Sequence, residues 1–342
     1  MKGSCRRHGP FVVMDRNLSW ARENRCNMKQ TFVLRSGYDG VDISVMMTSP
    51  ASDVGRESSA KPVAVLQIAH GMRGFKERFL PMMEYMSDHG IVCVANDHRG
   101  HGASIKEHKD RGDLYAGGHI AMIEDMRMVT EWAHAKYPEL PVYLLGHSMG
   151  SMAVRTYMKN YDNLIQGVVL CGTPGKHPAL ELARLFMGML SFADQDMRLP
   201  YVQSIASGIY NRNFRAEGEY AWLTSDKTVR KQFADSEMGS FAYTAGAFSE
   251  MLNLMHETYS KDDWQIKNPG VHIYFISGED DPVMRGESNF HKSASMLASL
   301  GYTDVTSAIY SGMRHEVLNE TGKESVWKDI LDHLLTWSNK VE

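Results

Sequence analysis

The chain has 342 residues, 43% of them hydrophobic and 23% charged, with 37 basic against 41 acidic side chains and a formal net charge of −4. At roughly 150 residues per domain, this length fits two domains or one large α/β domain with an insertion, and the composition excludes a disordered chain. The near-balanced charge lacks the basic excess that phosphate-backbone binding demands, so no nucleic-acid partner is expected.

Residues 1–27 carry five arginines, but their one apolar run, Phe11 to Met14, is too short for the core of a signal peptide. They read as a tail or an over-long start. From Met28 short β-branched runs alternate with longer helical patterns, the signature of a mostly parallel sheet with helices on both faces. Thr31 to Leu34 reads as a strand and Val63 to Ala69 as a buried one; Phe79, Leu80, Met83 and Met86 then recur at helical spacing up to Gly90, and Ile91 opens the next strand. A helix follows through Ile120 to Ala135, then a strand from Val142 to Leu145, a helix from Met149 to Asn160 and a strand from Leu164 to Cys171. The alternation stops at Thr173-Pro174-Gly175 and resumes at Val271 to Ser277. Residues 28–173 and 268–342 therefore read as two parts of one α/β core, and 174–267 as an inserted helical cap. A helix around Ser288 to Leu300, a strand from Val305 to Tyr310 and a helix from Lys323 to Trp337 complete the chain.

The four cysteines, at 5, 26, 93 and 171, have no metal-ligand spacing, and two of them lie in apolar strand-like runs. Reduced structural thiols in a cytoplasmic protein are expected. No window approaches the ~18 apolar residues of a membrane span.

Gly146-His147-Ser148-Met149-Gly150 matches G-x-S-x-G. The letters alone are weak evidence, but the run follows a strand directly and opens a helix, the setting of a nucleophile elbow. Small residues at 146 and 150 leave room for a sharp turn that presents the Ser148 hydroxyl above a helix N-terminus. An unreactive Gly/Ser helix entry is the plainer alternative. A serine nucleophile needs a base oriented by a third group, and in this setting the order is serine, acid, histidine. The strand from Val271 ends in Gly278-Glu279-Asp280-Asp281-Pro282, which offers three acids. Pro282 holds the residue before it extended and so favours Asp281, with Asp280 in reserve and Glu279 as a solvated loop charge. His291, His315 and His333 follow. His291 and His333 fall in helical patterns, leaving His315, in the loop after the last strand, as the base; an ordinary loop histidine is its alternative. Backbone donors for an oxyanion fit at Met72, in the small-residue loop His70 to Gly74, and at Met149.

In order and spacing, His70-Gly71, the run Asp97 to Ser104, the elbow at 146–150, Gly278 to Val283 and Gly312 to Glu320 resemble the α/β-hydrolase superfamily, within it the monoacylglycerol lipase and lysophospholipase-like branch. The resemblance runs from about Thr31 to the C-terminus. It implies the α/β-hydrolase fold, Ser148, Asp281 and His315 as triad, the Met72 and Met149 amides as oxyanion hole, and a structural role for His98 and His101. No cofactor or metal is implied.

The cap carries Leu182, Leu185, Phe186, Met189 and Leu190 at helical spacing, continued by Phe192, Met197, Tyr201, Ile205, Tyr210, Phe214 and Trp222. Packing on the core accounts for much of this surplus. The remainder is expected to line an acyl-chain tunnel, with Phe186, Met189, Leu190 and Phe214 as substrate contacts and Phe241, Phe248, Met251 and Met255 as weaker ones, or to touch a membrane or micelle transiently. The 24 methionines suit such an adaptable wall. No basic cluster marks a phosphate site, which favours neutral esters over charged lysophospholipids. The expected partner is a small-molecule or monoacyl lipid ester. An aminopeptidase is the competing enzyme, for which Asp194, Glu217, Glu219 or Asp235 would hold the substrate amine; a silent binding protein of the same fold is the non-enzyme alternative.

Overall fold

The computed structural model describes residues 12–13, 28–50 and 61–339. Its strands are β1 (Val12–Val13), β2 (Met28–Arg35), β3 (Asp42–Ser49), β4 (Ala64–Ala69), β5 (Ile91–Asn96), β6 (Val142–His147), β7 (Gly167–Cys171), β8 (His272–Gly278) and β9 (Asp304–Tyr310). Its helices are α1 (Leu80–Asp88), α2 (Gly118–Lys136), α3 (Met149–Tyr161), α4 (Leu180–Ala193), α5 (Pro200–Tyr210), α6 (Lys227–Asp235), α7 (Ala245–Tyr259), α8 (Glu287–Leu300) and α9 (Lys323–Ser338). The strands form one sheet in the order β1-β2-β3-β5-β4-β6-β7-β8-β9. The pairings from β1 through β3 to β5 are antiparallel and all the others are parallel. The alternation of the sequence predicts this mostly parallel sheet. The reading of residues 1–27 concerns positions outside the described residues, apart from Val12–Val13, which pairs with β2; Cys5 and Cys26 also lie outside them.

Strands β4 to β7 are predominantly apolar because each is covered on both faces, and every one of their residues is buried. On one face pack α2, α3, α7 and α8, through side chains such as Met126, Trp132, Tyr157, Leu254 and Phe290. On the other pack α1 and α9, through Met83, Met86, Trp327 and Leu334. Each such side chain contributes on the order of 1.5–3 kcal/mol through burial. Many of the methionines serve as this filling. The free thiols Cys93 and Cys171 are buried in the sheet.

Where the sequence reads a strand from Leu164, Asp162–Leu164 forms a 3₁₀ turn and β7 starts at Gly167. The cause is the Asp162 carboxylate, which accepts from the Lys267 and Asn268 amides and the Tyr302 hydroxyl and pulls the chain out of the sheet. Between β7 and β8, helix α7 packs on α2 and α3 as part of the covering layer, and α4 lies on α7. The rest of this connection, α5, α6 and the turns beside them, supplies walls above the C-terminal ends of the strands. Register fixes those ends: Ala69 pairs with Gly146, His147 with Cys171 and Gly278 with Tyr310, so the loops after β4, β6, β7, β8 and β9 emerge along one edge.

Candidate active site

Ser148 stands between β6 and α3 with φ +54° and ψ −117°, a strained region for a residue with a side chain. The turn tolerates no bulk around it. A Cβ at Gly146 would lie 2.4 Å from the Gly150 carbonyl oxygen, and one at Gly150 would lie 2.1 Å from that of Ala69. The Ser148 N–H donates to the Cys171 carbonyl at 2.9 Å, and its own carbonyl accepts from the Ser151 hydroxyl at 2.6 Å, so the strained backbone is held from both sides.

Of the three acids after β8, the chain turns Asp281 inward, 3% exposed, and leaves Glu279 and Asp280 at the surface. Asp281 Oδ1 accepts from the Val283 amide at 2.8 Å. Its Oδ2 accepts from the Ser277 hydroxyl at 3.0 Å and from His315 Nδ1 at 2.9 Å. Burial alone would raise this carboxyl, but the His315 imidazole and the hydrogen bonds from Val283 and Ser277 outweigh it and hold the carboxylate below its ordinary range. The bond to Asp281 uses Nδ1, which leaves His315 Nε2 for the substrate side, and Ser148 and His315 line one cavity. His291 is exposed on α8, and His333 stacks on Tyr274 at 3.9 Å on α9.

The loop after β4 brings Met72 to the same cavity, beside Met149 at the start of α3. As the first helical residue, Met149 has no intrahelical acceptor for its N–H. Gly71 is required here, since a Cβ on it would lie 2.9 Å from the Ser148 Cβ. The loop is tied from behind. The Arg73 N–H, at φ +55°, donates to the Tyr243 hydroxyl at 2.8 Å. Tyr243 donates in turn to His101 Nε2 at 2.7 Å, and His101 Nδ1–H donates to the Arg99 carbonyl. Burial lowers His101 to about 4, in keeping with a neutral ring in this chain of bonds. His98 is likewise buried and lowered, to about 3. Neither ring lines the cavity at Ser148.

Several residues of the site carry no sequence signal that singles them out. Burial, with the neighbouring His315, lowers His147 to about 4, and the neutral ring donates from Nε2 to the His315 carbonyl at 3.2 Å. Burial alone would raise Glu316, but the ion pair with Arg78 helps hold it below its ordinary range. Trp222 lies against the His315 ring with centroids 5.3 Å apart. The loop that carries His315 is also strapped to residues 217–225. Arg314 holds Glu217, the Glu316 amide donates to the Leu223 carbonyl at 2.7 Å, and Glu320 accepts from the Thr224 hydroxyl and the Ser225 amide, both at 2.8 Å.

The cavity at Ser148 has a volume of about 260 Å³, and Phe248, Met251 and Met255 of α7 line it, as expected of them. Phe186, Met189, Leu190 and Phe214 do not, which corrects their placement as its wall. Phe186 and Met189 are 54% and 58% exposed on the outer side of α4, Leu190 packs on the α7 layer, and Phe214 lies under the Arg314 guanidinium at 4.2 Å. Helix α4 is apolar on more than one side, so its periodicity does not reveal which side faces Ser148. Phe241 lines an adjoining basin. None of the four cap acids reaches the Ser148 cavity. Asp194 accepts from the Met197 amide, Glu217 pairs with Arg314, Asp235 pairs with Lys231, and Glu219 lies on the basin wall.

Residues 60–322 match the family described as serine aminopeptidase, S33. The monoacylglycerol lipase of Mycolicibacterium smegmatis is 24% identical over 307 residues, 88% of this chain and 94% of that one. Among solved structures, a thermostable carboxyl esterase from Bacillus coagulans in complex with glycerol superposes with a TM-score of 0.81 at 24% identity, over 91% of this chain and 99% of that one. A soluble variant of the Saccharomyces cerevisiae monoglyceride lipase superposes at 0.70 and 17% identity, over 94% and 99%. Sheet, elbow and family match converge: the chain belongs to the serine aminopeptidase S33 family of α/β-hydrolases.

Proposed function

We propose that this protein hydrolyses carboxylic esters of monoacyl lipids, monoacylglycerol-like or lysophospholipid-like, through an acyl-enzyme on Ser148. The observation that carries this reading is the 2.9 Å hydrogen bond from His315 to buried Asp281, beside a serine held at φ +54° in the wall of an apolar cavity. In the first half-reaction Ser148 Oγ attacks the ester carbonyl while His315 Nε2 takes its proton. Asp281 holds the ring and stabilises the imidazolium. The electron pair displaced onto the carbonyl oxygen is met by the Met72 and Met149 amides. Collapse expels the alcohol, which takes the proton from His315. Water then attacks the acyl-enzyme by the same route and releases the fatty acid.

The cavity wall favours an ester over an aminoacyl substrate. Its lining includes one carboxylate, Glu316, and that is already paired with Arg78. An amine would find no free acid there. The outer sides of α4 and α5 support transient contact with a membrane or micelle: Leu182, Phe192, Tyr201 and Ile205 are 70%, 95%, 83% and 64% exposed. A cytoplasmic setting accords with the free thiols Cys93 and Cys171. The test is a panel of monoacylglycerols and lysophospholipids, from butyryl to oleoyl, run beside aminoacyl amides. Esters are expected to turn over with a drop of roughly a thousandfold or more in Ser148→Ala. Preferential cleavage of the amides, or an unimpaired Ser148→Ala, would reject the reading.

A further inference from the structure

The apolar cavity at Ser148 adjoins a basin of about 490 Å³ with a mixed polar and apolar wall, and Arg73, Gln203, Ser207 and Tyr220 line both. Arg73 is fixed at this junction. Its Nε donates to the Gly239 carbonyl and its Nη1 to the Tyr220 hydroxyl at 3.4 Å, while the guanidinium lies over the Phe233 and Tyr220 rings at 5.0 and 5.6 Å. Among the described residues nothing accepts from Nη2 and no carboxylate forms an ion pair with Arg73. The other guanidinium of the cavity, Arg78, is neutralised by Glu316. Glu219, the acid on the basin wall, is exposed to solvent. Gln203 is incomplete in the opposite sense. Its Nε2 donates to the Phe241 carbonyl at 3.0 Å, but Oε1 is buried with no donor. Native structures rarely leave such an acceptor empty. The junction therefore holds a positive donor lacking an anion and an acceptor lacking a hydroxyl.

We propose that Arg73 and Gln203 form a head-group subsite for an alcohol bearing both a phosphate and a hydroxyl, so that the ester taken best is a monoacyl glycerophosphate. This rests on the ester-hydrolase reading above. The acyl chain occupies the apolar cavity, the hydroxyl donates to Gln203 Oε1, and the phosphate accepts from Arg73, whose planar guanidinium suits that anion. The reaction is hydrolysis of the acyl–oxygen bond; water supplies the hydroxyl of the fatty acid and the proton of the released alcohol. The loop after β4 carries Arg73 to the rim of the site, where its charge becomes specific.

The test uses the full chain and compares kcat/KM for 1-oleoylglycerol with that for its 3-phosphate, each below its critical micelle concentration. The butyryl pair distinguishes a soluble phosphate ester from a lipid as the source of the phosphate. The phosphate ester is expected to be favoured about tenfold, and Arg73→Gln to cut that ratio about tenfold while Arg73→Lys keeps part of it. A preference in both pairs or in the oleoyl pair alone supports the subsite and assigns its source. A wild-type ratio near one with the neutral ester still hydrolysed, or an Arg73→Gln that lowers both esters by the same factor, overturns the subsite alone. If no ester is hydrolysed, the ester-hydrolase reading fails with it.

Discussion

Glu217 grips both terminal nitrogens of Arg314, the residue before His315, at 2.7 and 3.0 Å. The Glu217 side chain is 43% exposed, so the pair adds little to stability, roughly 1 kcal/mol or less. Arg314 also donates to the Ala221 carbonyl at 2.7 Å, which ties the loop carrying His315 to the strap that carries Trp222, so the pair is expected to matter for the aim of the proposed base. Glu217→Gln is expected to lower kcat about threefold to tenfold with a smaller change in KM and a Tm within a few degrees of wild type. Steady-state kinetics beside a thermal melt check this, and a fall in Tm matching the loss of rate would assign Glu217 to stability instead.

Asp281 fixes which nitrogen of His315 carries the proton. In Asp281→Asn the side-chain amide can donate to Nδ1, which favours the wrong tautomer and leaves Nε2 unable to accept the serine proton. A fall in kcat of roughly three to four orders of magnitude follows, as seen for triads of this chemistry. Asp280→Asn, at the surface, is expected to stay within about twofold of wild type on the same ester.

Acid sensitivity follows from four buried histidines. Burial lowers His70 well below its ordinary value, and lowers His98 to about 3 and both His101 and His147 to about 4. Below pH 6.5 the unfolded chain binds protons at these positions that the folded chain refuses, so stability falls as pH drops from about 6.5 toward 4. Each histidine contributes up to about 1.4 kcal/mol per pH unit in that window. Urea midpoints measured from pH 7.5 to 4.5 are expected to decline steeply below 6.5. A flat profile would contradict the buried, neutral rings.

The outer apolar side chains of α4 and α5 lie away from the cavity, so under the proposed membrane contact their loss is expected to change access to lipid rather than chemistry. Phe192→Ser with Ile205→Ser is expected to weaken sedimentation with phosphatidylcholine vesicles severalfold and to lower turnover of vesicle-borne monoacylglycerol. Turnover of a soluble butyryl ester should stay within about twofold. Equal loss on both substrates would count against a surface role.

The sheet was legible because its strands are short apolar runs separated by helical repeats. The residues proposed as nucleophile, acid and base were singled out because each ends or follows a strand in a fixed order. Pro282 marks the acid that the structure turns inward. The cap was not legible in the same way. Leu182, Phe186 and Met189 differ little in character from Met187, yet Met187 is buried against the core while the others face outward. Only the docking of α4 on α7 separates them. Long-range pairs leave still less trace: nothing around Glu217 marks it as the partner of Arg314, and nothing around Arg73 marks it as the cation at the junction of two cavities.

The most direct measurement is intact-protein and peptide mass spectrometry after exposure to a fluorophosphonate. One covalent adduct is expected, on the peptide containing Ser148, formed in step with loss of ester hydrolysis and absent from Ser148→Ala. Unmodified Ser148 under conditions where esters turn over, or full activity with Ser148 occupied, would contradict that expectation.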